Sequence, residues 1–316
     1  MKTILFTDTH FGWKQNSTMW LKYQSAFITD QLLPAIKEIK NKEPVRVIHL
    51  GDVFDSRSSI STLVATRVVE LFKQIADTCD EFYIIGGNHD YYSPNEDSID
   101  TINLLLSNLS IHIVTTEPLQ IEDNLLVPWY SWFDADNIQN LIDTHKIKRV
   151  FTHADIISGP VDIRRADIYS GHIHIPYIKG RIRNLGSCYS LNFADANTPR
   201  GFYLLDDDDK LKFISNDKSI NFWKLYNEEI FAPPVMKRDD YIELYINQKN
   251  LLDEKYRKQI DKLADTYKNL WTIPQVTQSE NVNEAEFKGY DIEAIARELI
   301  PKQLKEKFDL ILNKQK

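Results

Sequence analysis

Apolar and polar positions alternate along the first half of the chain in a way that predicts strands followed by helices. Short runs rich in β-branched and aromatic residues lie at residues 3–7, 45–50, 82–85 and 148–152. Longer stretches with apolar residues near helical spacing lie at residues 17–40, 61–77, 97–108 and 134–145. This order of elements predicts parallel β/α units.

From residue 167 to residue 225 the pattern changes to short strands separated by turn signals. The acidic run Asp206 to Asp209, for example, separates the apolar stretches 202–205 and 211–214. Parallel units followed by such a meander predict a layered α/β sandwich.

The pair Pro233-Pro234 marks a domain boundary. Beyond it, residues 241–246 alternate like a strand, residues 251–269 have helical spacing, and residues 270–276 predict a second strand. A polar linker and C-terminal helices interrupted by Pro301 follow. The predicted large domain, small α+β module, linker and C-terminal helices are residues 1–225, 226–277, 278–290 and 291–316.

Composition narrows the class of protein. With 42% hydrophobic residues in 316, the chain can form a substantial core, and no stretch approaches the roughly 18 apolar residues of a membrane span. Cys79 and Cys188 form neither a metal motif nor a disulfide framework, which favours a reducing, cytoplasmic compartment. The net charge of −8 means that DNA could be bound only by a local basic patch.

Polar blocks directly follow the predicted strands. They are Asp8-Thr9-His10, Gly51-Asp52, Gly87-Asn88-His89-Asp90, Thr152-His153 and Gly171-His172-Ile173-His174. Open α/β sheets bind ligands at the carboxyl ends of their strands, so we expect these blocks to meet. Mixed carboxylate and imidazole ligands suit manganese, iron or zinc, and two such metals roughly 3.5–4 Å apart activate water and neutralise a phosphate.

The order Asp-x-His, Gly-Asp, Gly-Asn-His-Asp, single His and Gly-His-x-His resembles the calcineurin-like metallophosphoesterase superfamily over residues 1–215. The resemblance implies an α/β/β/α sandwich with two divalent metals bridged by Asp52. It assigns one metal to Asp8, His10, Asp52 and His174 and the other to Asp52, Asn88, His153 and His172. It also implies that His89 acts on the leaving oxygen and that the Asp55 carboxylate orients His89.

A single histidine beside a strand is more often structural than catalytic, and we interpret His49, His112 and His145 in that way. The five blocks together are a much stronger signal than any one of them. A metal-free relative would be expected to have lost ligands, and none of the superfamily positions is missing.

The stretch Gly51-Asp52-Val53-Phe54-Asp55 resembles the SbcD-type (Mre-eleven) nuclease family more than the protein phosphatases. So do Gly186-Ser187, Asn192-Phe193 and Pro199-Arg200-Gly201-Phe202, which follow the last block. The resemblance implies a manganese-dependent DNA nuclease of repair and recombination, in a short phage or bacterial form. It also implies a DNA-capping module, a homodimer, and C-terminal helices that dock on an SbcC-type coiled-coil ATPase. Some family members carry histidine at the position of Asp55, which leaves the balance of exonuclease and endonuclease activity open.

Two alternatives remain at this level: a small-molecule metallophosphodiesterase or nucleotidase, and an assembly subunit with a vestigial site. Candidate contacts to substrate phosphates are scattered, and each is equally well explained as a solvated loop charge: Arg57, Lys179, Arg181, Arg183 and Arg200. Candidate apolar dimer contacts, which could equally cover the sheet, are Leu63, Val64, Val68, Leu71, Leu104 and Leu105.

Overall fold

The computed structural model describes residues 1–93, 96–130, 134–155 and 165–275. The predicted linker 278–290 and C-terminal helices 291–316 lie outside the described residues.

The strands and helices of the described residues alternate as expected for an α/β protein. The strands are β1 (Lys2–Phe6), β2 (Val45–His49), β3 (Glu81–Ile85), β4 (Tyr91–Ser93), β5 (Glu96–Asp100), β6 (His112–Val114), β7 (Leu119–Ile121), β8 (Asn124–Val127), β9 (Arg149–Thr152), β10 (Asp167–Ser170), β11 (Tyr177–Lys179), β12 (Ile182–Asn184), β13 (Gly201–Leu205), β14 (Leu211–Ser215), β15 (Phe222–Tyr226), β16 (Tyr241–Asn247) and β17 (Asn269–Gln275). The helices are the single turn α1 (Trp13–Asn16), α2 (Thr18–Phe27), α3 (Leu33–Lys40), α4 (Thr62–Thr78), α5 (Thr101–Leu106), α6 (Ala135–His145), α7 (Gln248–Leu252) and α8 (Glu254–Thr266), with a π-helical turn, Ile28–Leu32, joining α2 to α3.

Two six-stranded sheets form the large domain. Their strand orders are β14-β13-β1-β2-β3-β6 and β11-β12-β10-β9-β8-β7. Buried apolar side chains of both sheets, among them Leu5, Ile48, Phe151 and Tyr169, fill the layer between them. Helices α2 to α4 cover the outer face of the first sheet and α6 covers the second. The predicted α/β/β/α sandwich is confirmed.

The central strands explain why the apolar runs are continuous. In β1, Ile4 and Phe6 belong to the core under the helices, whereas Leu5 belongs to the layer between the sheets. A parallel strand buried on both faces has apolar residues at every position rather than at alternate ones. A polar residue directly after such a run therefore lies at the edge of the sheet.

The helix predicted over residues 97–108 begins only at Thr101. Residues 96–100 instead form β5, which pairs antiparallel with β4. The Asp100 carboxylate accepts a hydrogen bond from the Asn103 backbone N–H (2.6 Å) and so caps the helix. Pairing with the strand that immediately precedes it has overridden the helical spacing of these residues.

The small module takes a strand from the range predicted for the large domain. Strands β15, β16 and β17 form one parallel sheet, so a boundary at residue 225 would divide β15. Phe222 of β15 stacks on Trp20 of α2, with ring centroids 6.1 Å apart and an angle of 7° between the planes. The module is thus anchored to the first helical layer of the large domain.

Half of the six predicted dimer contacts have a different role. Val64, Val68 and Leu71 of α4 are fully buried and cannot reach a partner, because they cover the sheet, and Leu105 is partly buried against the same core. Leu63 and Leu104 remain exposed. Within the described ranges, no helix combines the length and the apolarity that crossing a bilayer requires.

Candidate metal centre

The five polar blocks meet at the carboxyl ends of β1, β2, β3, β9 and β10. Three groups of side chains have ligand atoms within 4.8 Å of one another, and the third of them consists of His10, Asp52 and His89. The first group is Asp8, His10 and His174, and the second is Asp52, His153 and His172. The residues that sequence analysis predicted as ligands are therefore brought together.

The first group surrounds the Nε2 atom of His10. This atom lies 3.1 Å from Nε2 of His174, 3.8 Å from Oδ1 of Asp8 and 3.6 Å from Oδ2 of Asp52. Oδ1 of Asp8 is buried and has no hydrogen-bond partner among the described residues. Because buried carboxylate oxygens are normally paired, this atom fits a metal ligand.

The second group surrounds the Asn88 amide oxygen. Oδ1 of Asn88 lies 3.2 Å from Nε2 of His153 and 2.8 Å from Nδ1 of His172. Oδ2 of Asp52 lies 3.2 Å from the same His153 nitrogen. Nδ1 of His153 donates to the Leu50 carbonyl (2.7 Å), so Nε2 is the ring nitrogen that can bind a metal once its proton has left.

Carboxylate, imidazole and amide donors in these two groups fit two divalent first-row metals. The Asp52 carboxylate lies between the groups and so has the position of a bridging ligand.

Burial and opposite charges compete for the protons of the site. Burial alone would raise the pKa of Asp8, but its contacts with His10 and the charges of His153 and His174 lower that pKa to about 2. Burial would lower the pKa of His153, but the Asp52 carboxylate raises it to about 9. The metal-free site therefore balances its carboxylates with histidine protons, and these protons must leave when a metal binds.

The buried Asp90 carboxylate holds two of the loops together. It accepts hydrogen bonds from the backbone N–H groups of Gly87 (2.9 Å), Val53 (3.3 Å) and Phe54 (3.1 Å). It thereby joins the loop after β2, which carries Asp52, to the loop after β3, which carries Asn88. Sequence analysis assigned Asp90 no role, although it stands inside a block.

The backbone at the site is unusual. Four residues of the polar blocks have positive φ: Asp8 (+53°), His10 (+39°), Asp52 (+54°) and His172 (+78°). A left-handed backbone conformation turns the chain sharply at the end of a strand and directs these side chains toward one point. Residues other than glycine, asparagine, aspartate and histidine rarely adopt it.

His89 lies beside both groups. Its Nδ1 donates to the backbone carbonyl of Asp55 (2.6 Å), and its backbone N–H donates to Oδ1 of Asp52 (2.8 Å). The predicted contact with the Asp55 carboxylate is not observed, because that carboxylate faces Nδ1 of His10 at 3.8 Å. Asp55 thus orients His89 through its main chain.

The predicted phosphate contacts are not gathered in one place. Arg181 and Arg183 share the carboxylate of Asp167, and Lys179 is exposed. Arg57 is half-buried beside the loop after β2. The predicted phosphate contact of Arg200 is not possible. Only 1% of its side chain is exposed, and its guanidinium contacts Asp195 inside the protein, so it cannot meet a substrate at the surface.

Two further polar residues support the site and were missed. Gln24 of α2 donates to the carbonyls of Thr9 (3.0 Å) and His10 (2.8 Å). Asp195 lies behind His174, with Oδ1 3.8 Å from Nδ1. A glutamine on the buried face of an amphipathic helix was a usable signal for the first, whereas no local pattern indicated the second.

The structural histidines have the roles expected of them. His49 is buried, accepts from the Gly51 backbone N–H (3.1 Å) and contacts the Thr9 hydroxyl (2.9 Å). His112 lies on β6, the edge strand of the first sheet, where it stacks on Tyr83. His145 is exposed on α6.

Comparison with known proteins gives two matches. The family model described as calcineurin-like phosphoesterase matches residues 1–220. Exonuclease subunit 1 of Enterobacteria phage T4 is 22% identical over 316 residues, covering 90% of this chain and 88% of the phage protein.

Proposed function

The chain belongs to the calcineurin-like phosphoesterase family and is a metal-dependent phosphodiester hydrolase; from this premise we propose that it is a two-metal DNA nuclease, with Mn2+ as its metal. The family match confirms the resemblance seen in the five polar blocks. The observation that carries the proposal is the position of the Asp52 carboxylate between two complete ligand groups.

Each residue of the site has a proposed task. Asp8, His10 and His174 would hold one metal, Asn88, His153 and His172 would hold the other, and Asp52, which lies between the two groups, would contribute to both. Such a metal pair supplies an activated water and neutralises the charge on the phosphate. His89, held by the bond from its Nδ1–H to the Asp55 carbonyl, stabilises or protonates the leaving oxygen.

Two features favour DNA over a small phosphodiester. The phage relative is named as an exonuclease, and the match covers 90% of this chain, so it extends beyond residue 220 into the small module. We expect this module to cap the DNA.

The relative is also named as a subunit, which supports a partner for this chain. We propose that residues 291–316 dock on an SbcC-type coiled-coil ATPase. In this proposal a homodimer of the chain acts with the ATPase in DNA repair or recombination, in the cytoplasm of a bacterial or phage-infected cell. Deleting residues 285–316 should abolish co-purification with the ATPase and leave ATP-independent cleavage unchanged. A large fall in melting temperature would instead make the segment part of the folded core.

The test compares linear DNA, bis-p-nitrophenyl phosphate and cyclic nucleotides as substrates in the presence of Mn2+. The proposal predicts rapid degradation of DNA, abolished by Asn88→Ala and His174→Ala. His112→Ala, which removes a histidine remote from the site, serves as the control and should keep full activity.

Preferential hydrolysis of cyclic nucleotides would replace the nuclease by a small-molecule phosphodiesterase. Full activity in the Asn88→Ala protein would contradict the assignment of the two metals.

A further inference from the structure

Behind His174, on the side away from the candidate metals, lies the buried carboxylate of Asp195. Nε2 of His174 points into the site, 3.1 Å from Nε2 of His10, whereas Nδ1 lies 3.8 Å from Oδ1 of Asp195. This distance is too long for a direct hydrogen bond. The carboxylate therefore acts on the imidazole through its charge, and a negative charge beside Nδ1 favours the tautomer that carries its proton there.

Asp195 is held firmly for such a role. Its Oδ2 accepts hydrogen bonds from the backbone N–H groups of Leu191 (2.8 Å) and Asn192 (3.4 Å). Its Oδ1 lies 3.4 Å from Nη2 of Arg200, and only 3% of the side chain is exposed. A carboxylate can stay ionised in the protein interior when it is paired with an opposite charge and hydrogen-bonded, and Asp195 meets both conditions.

Arg200 connects the carboxylate to the main chain of His174. Its Nη1 donates to the His174 carbonyl and to Oγ of Ser187 (3.2 Å), and its Nη2 donates to the Asp195 carbonyl (3.1 Å). One guanidinium thus fixes both the backbone of the histidine and the carboxylate that faces its ring.

We propose that Asp195, held in place by Arg200, is a positioning residue that fixes the tautomer and orientation of His174 for metal binding. The inference rests on the proposed function only in assuming that His174 binds a metal. Carboxylates behind metal-binding histidines orient the ring and raise its basicity, and their loss typically weakens metal binding 10–100-fold.

The effect is confined to one of the two metal positions. In the first ligand group, His10 has a similar neighbour, since the Asp55 carboxylate lies 3.8 Å from its Nδ1. In the second group, Nδ1 of His153 donates to the neutral Leu50 carbonyl instead. The loss of Asp195 should therefore weaken the metal held by His174 and spare the metal held by His153.

The variant Asp195→Asn tests this, because asparagine keeps the shape and one acceptor oxygen but removes the charge. Asp240→Asn is the matched control: Asp240 is fully buried and accepts from the backbone N–H groups of Asn221 (2.8 Å) and Lys237 (2.9 Å) in the small module. Mn2+ is titrated into each metal-free protein by calorimetry, and melting temperatures are measured without metal.

We expect Asp195→Asn to weaken one of two Mn2+ binding events about 10–100-fold while the other is unchanged. The control should bind both ions as the wild type does. Equal affinity in Asp195→Asn and wild type would overturn the proposal. So would a weakening of both events together with a fall in melting temperature larger than that of the control, since this would indicate a merely structural role.

A second measurement needs no metal. Nitrogen NMR of the histidine rings should show His174 with its proton on Nδ1 in the wild type, and a shift toward Nε2–H in Asp195→Asn. An unchanged tautomer would overturn the proposal. A wild-type protein that binds no Mn2+ would contradict the proposed function, and the NMR comparison would still decide the role of Asp195.

Discussion

Replacing Asp90 tests whether one buried carboxylate holds together the loops that carry Asp52 and Asn88. Its oxygens accept three backbone N–H groups, and the side chain is fully buried. A buried donor left without an acceptor costs about 1–3 kcal/mol. Three such donors give Asp90→Ala a loss on the order of 3–9 kcal/mol, a large part of the roughly 5–15 kcal/mol by which domains are stable.

Asparagine at this position should be milder. Its amide oxygen can replace Oδ2, which serves both Gly87 and Val53, while its NH2 group faces the Phe54 N–H. One unmade hydrogen bond corresponds to about 1–3 kcal/mol. Both variants should also bind Mn2+ more weakly, because the two loops are no longer held in register.

Urea unfolding of the metal-free proteins measures the free energies, and calorimetry measures the Mn2+ affinity. Asp100→Ala is the control, since Asp100 caps α5 away from the site and its loss should cost about 1 kcal/mol with unchanged Mn2+ affinity. If Asp90→Ala unfolds within about 1 kcal/mol of the wild type, or if asparagine costs as much as alanine, the accounting of the three donors is wrong.

Four further predictions concern metal binding, catalysis and the stability of the metal-free fold. The pKa of His153 is raised from 6.5 to about 9, so Mn2+ must displace a proton from this histidine at pH 7. The Mn2+ affinity should therefore rise about tenfold per pH unit up to about pH 9. A pH-independent affinity measured by calorimetry would refute this. The same raised pKa stabilises the metal-free fold fully below pH 6.5, and this contribution is lost as the pH rises through about 9. His89→Ala should keep both metals and cleave DNA roughly 10²–10⁴-fold more slowly, whereas a loss of metal would make His89 a ligand, as its position beside His10 and Asp52 permits. Gly87→Ala would place a Cβ atom 2.2 Å from the backbone nitrogen of Asp52 and should abolish metal binding. Gly180→Ala is the control, because its Cβ atom meets nothing within 4 Å. If Gly87→Ala keeps its Mn2+ affinity, the loop can move aside.

The candidate ligands could be read from the sequence because their signal is local. Asp8 and Asp52 follow β1 and β2 within three residues, and strands buried on both faces are visible as continuous apolar runs. The edge of a parallel sheet then brings the blocks together without any knowledge of the loops.

Residues whose roles depend on the path of the chain could not be found in this way. Asp195 ends a single 3-10 turn, Phe193–Asp195, and Arg200 follows in a loop, so neither belongs to an element long enough to show periodicity. A buried arginine also cannot be told from an exposed one by its spacing. For Asp55, the sequence could not show that the carbonyl, rather than the carboxylate, contacts His89. The helix predicted over residues 97–108 lost its first turn to β5, because the apolar spacing of this stretch does not reveal that its first residues pair with β4.

The left-handed backbone at Asp8, His10, Asp52 and His172 has a consequence for mutational libraries. Left-handed φ costs most L-residues roughly 1–2 kcal/mol, and β-branched side chains fit it worst. A library randomised at these four codons and selected only for a soluble, folded product, with no demand for catalysis, should still be enriched in glycine, asparagine, aspartate and histidine. Three of these residue types, asparagine, aspartate and histidine, can bind metal, so folding alone would keep part of the coordination chemistry within reach of selection.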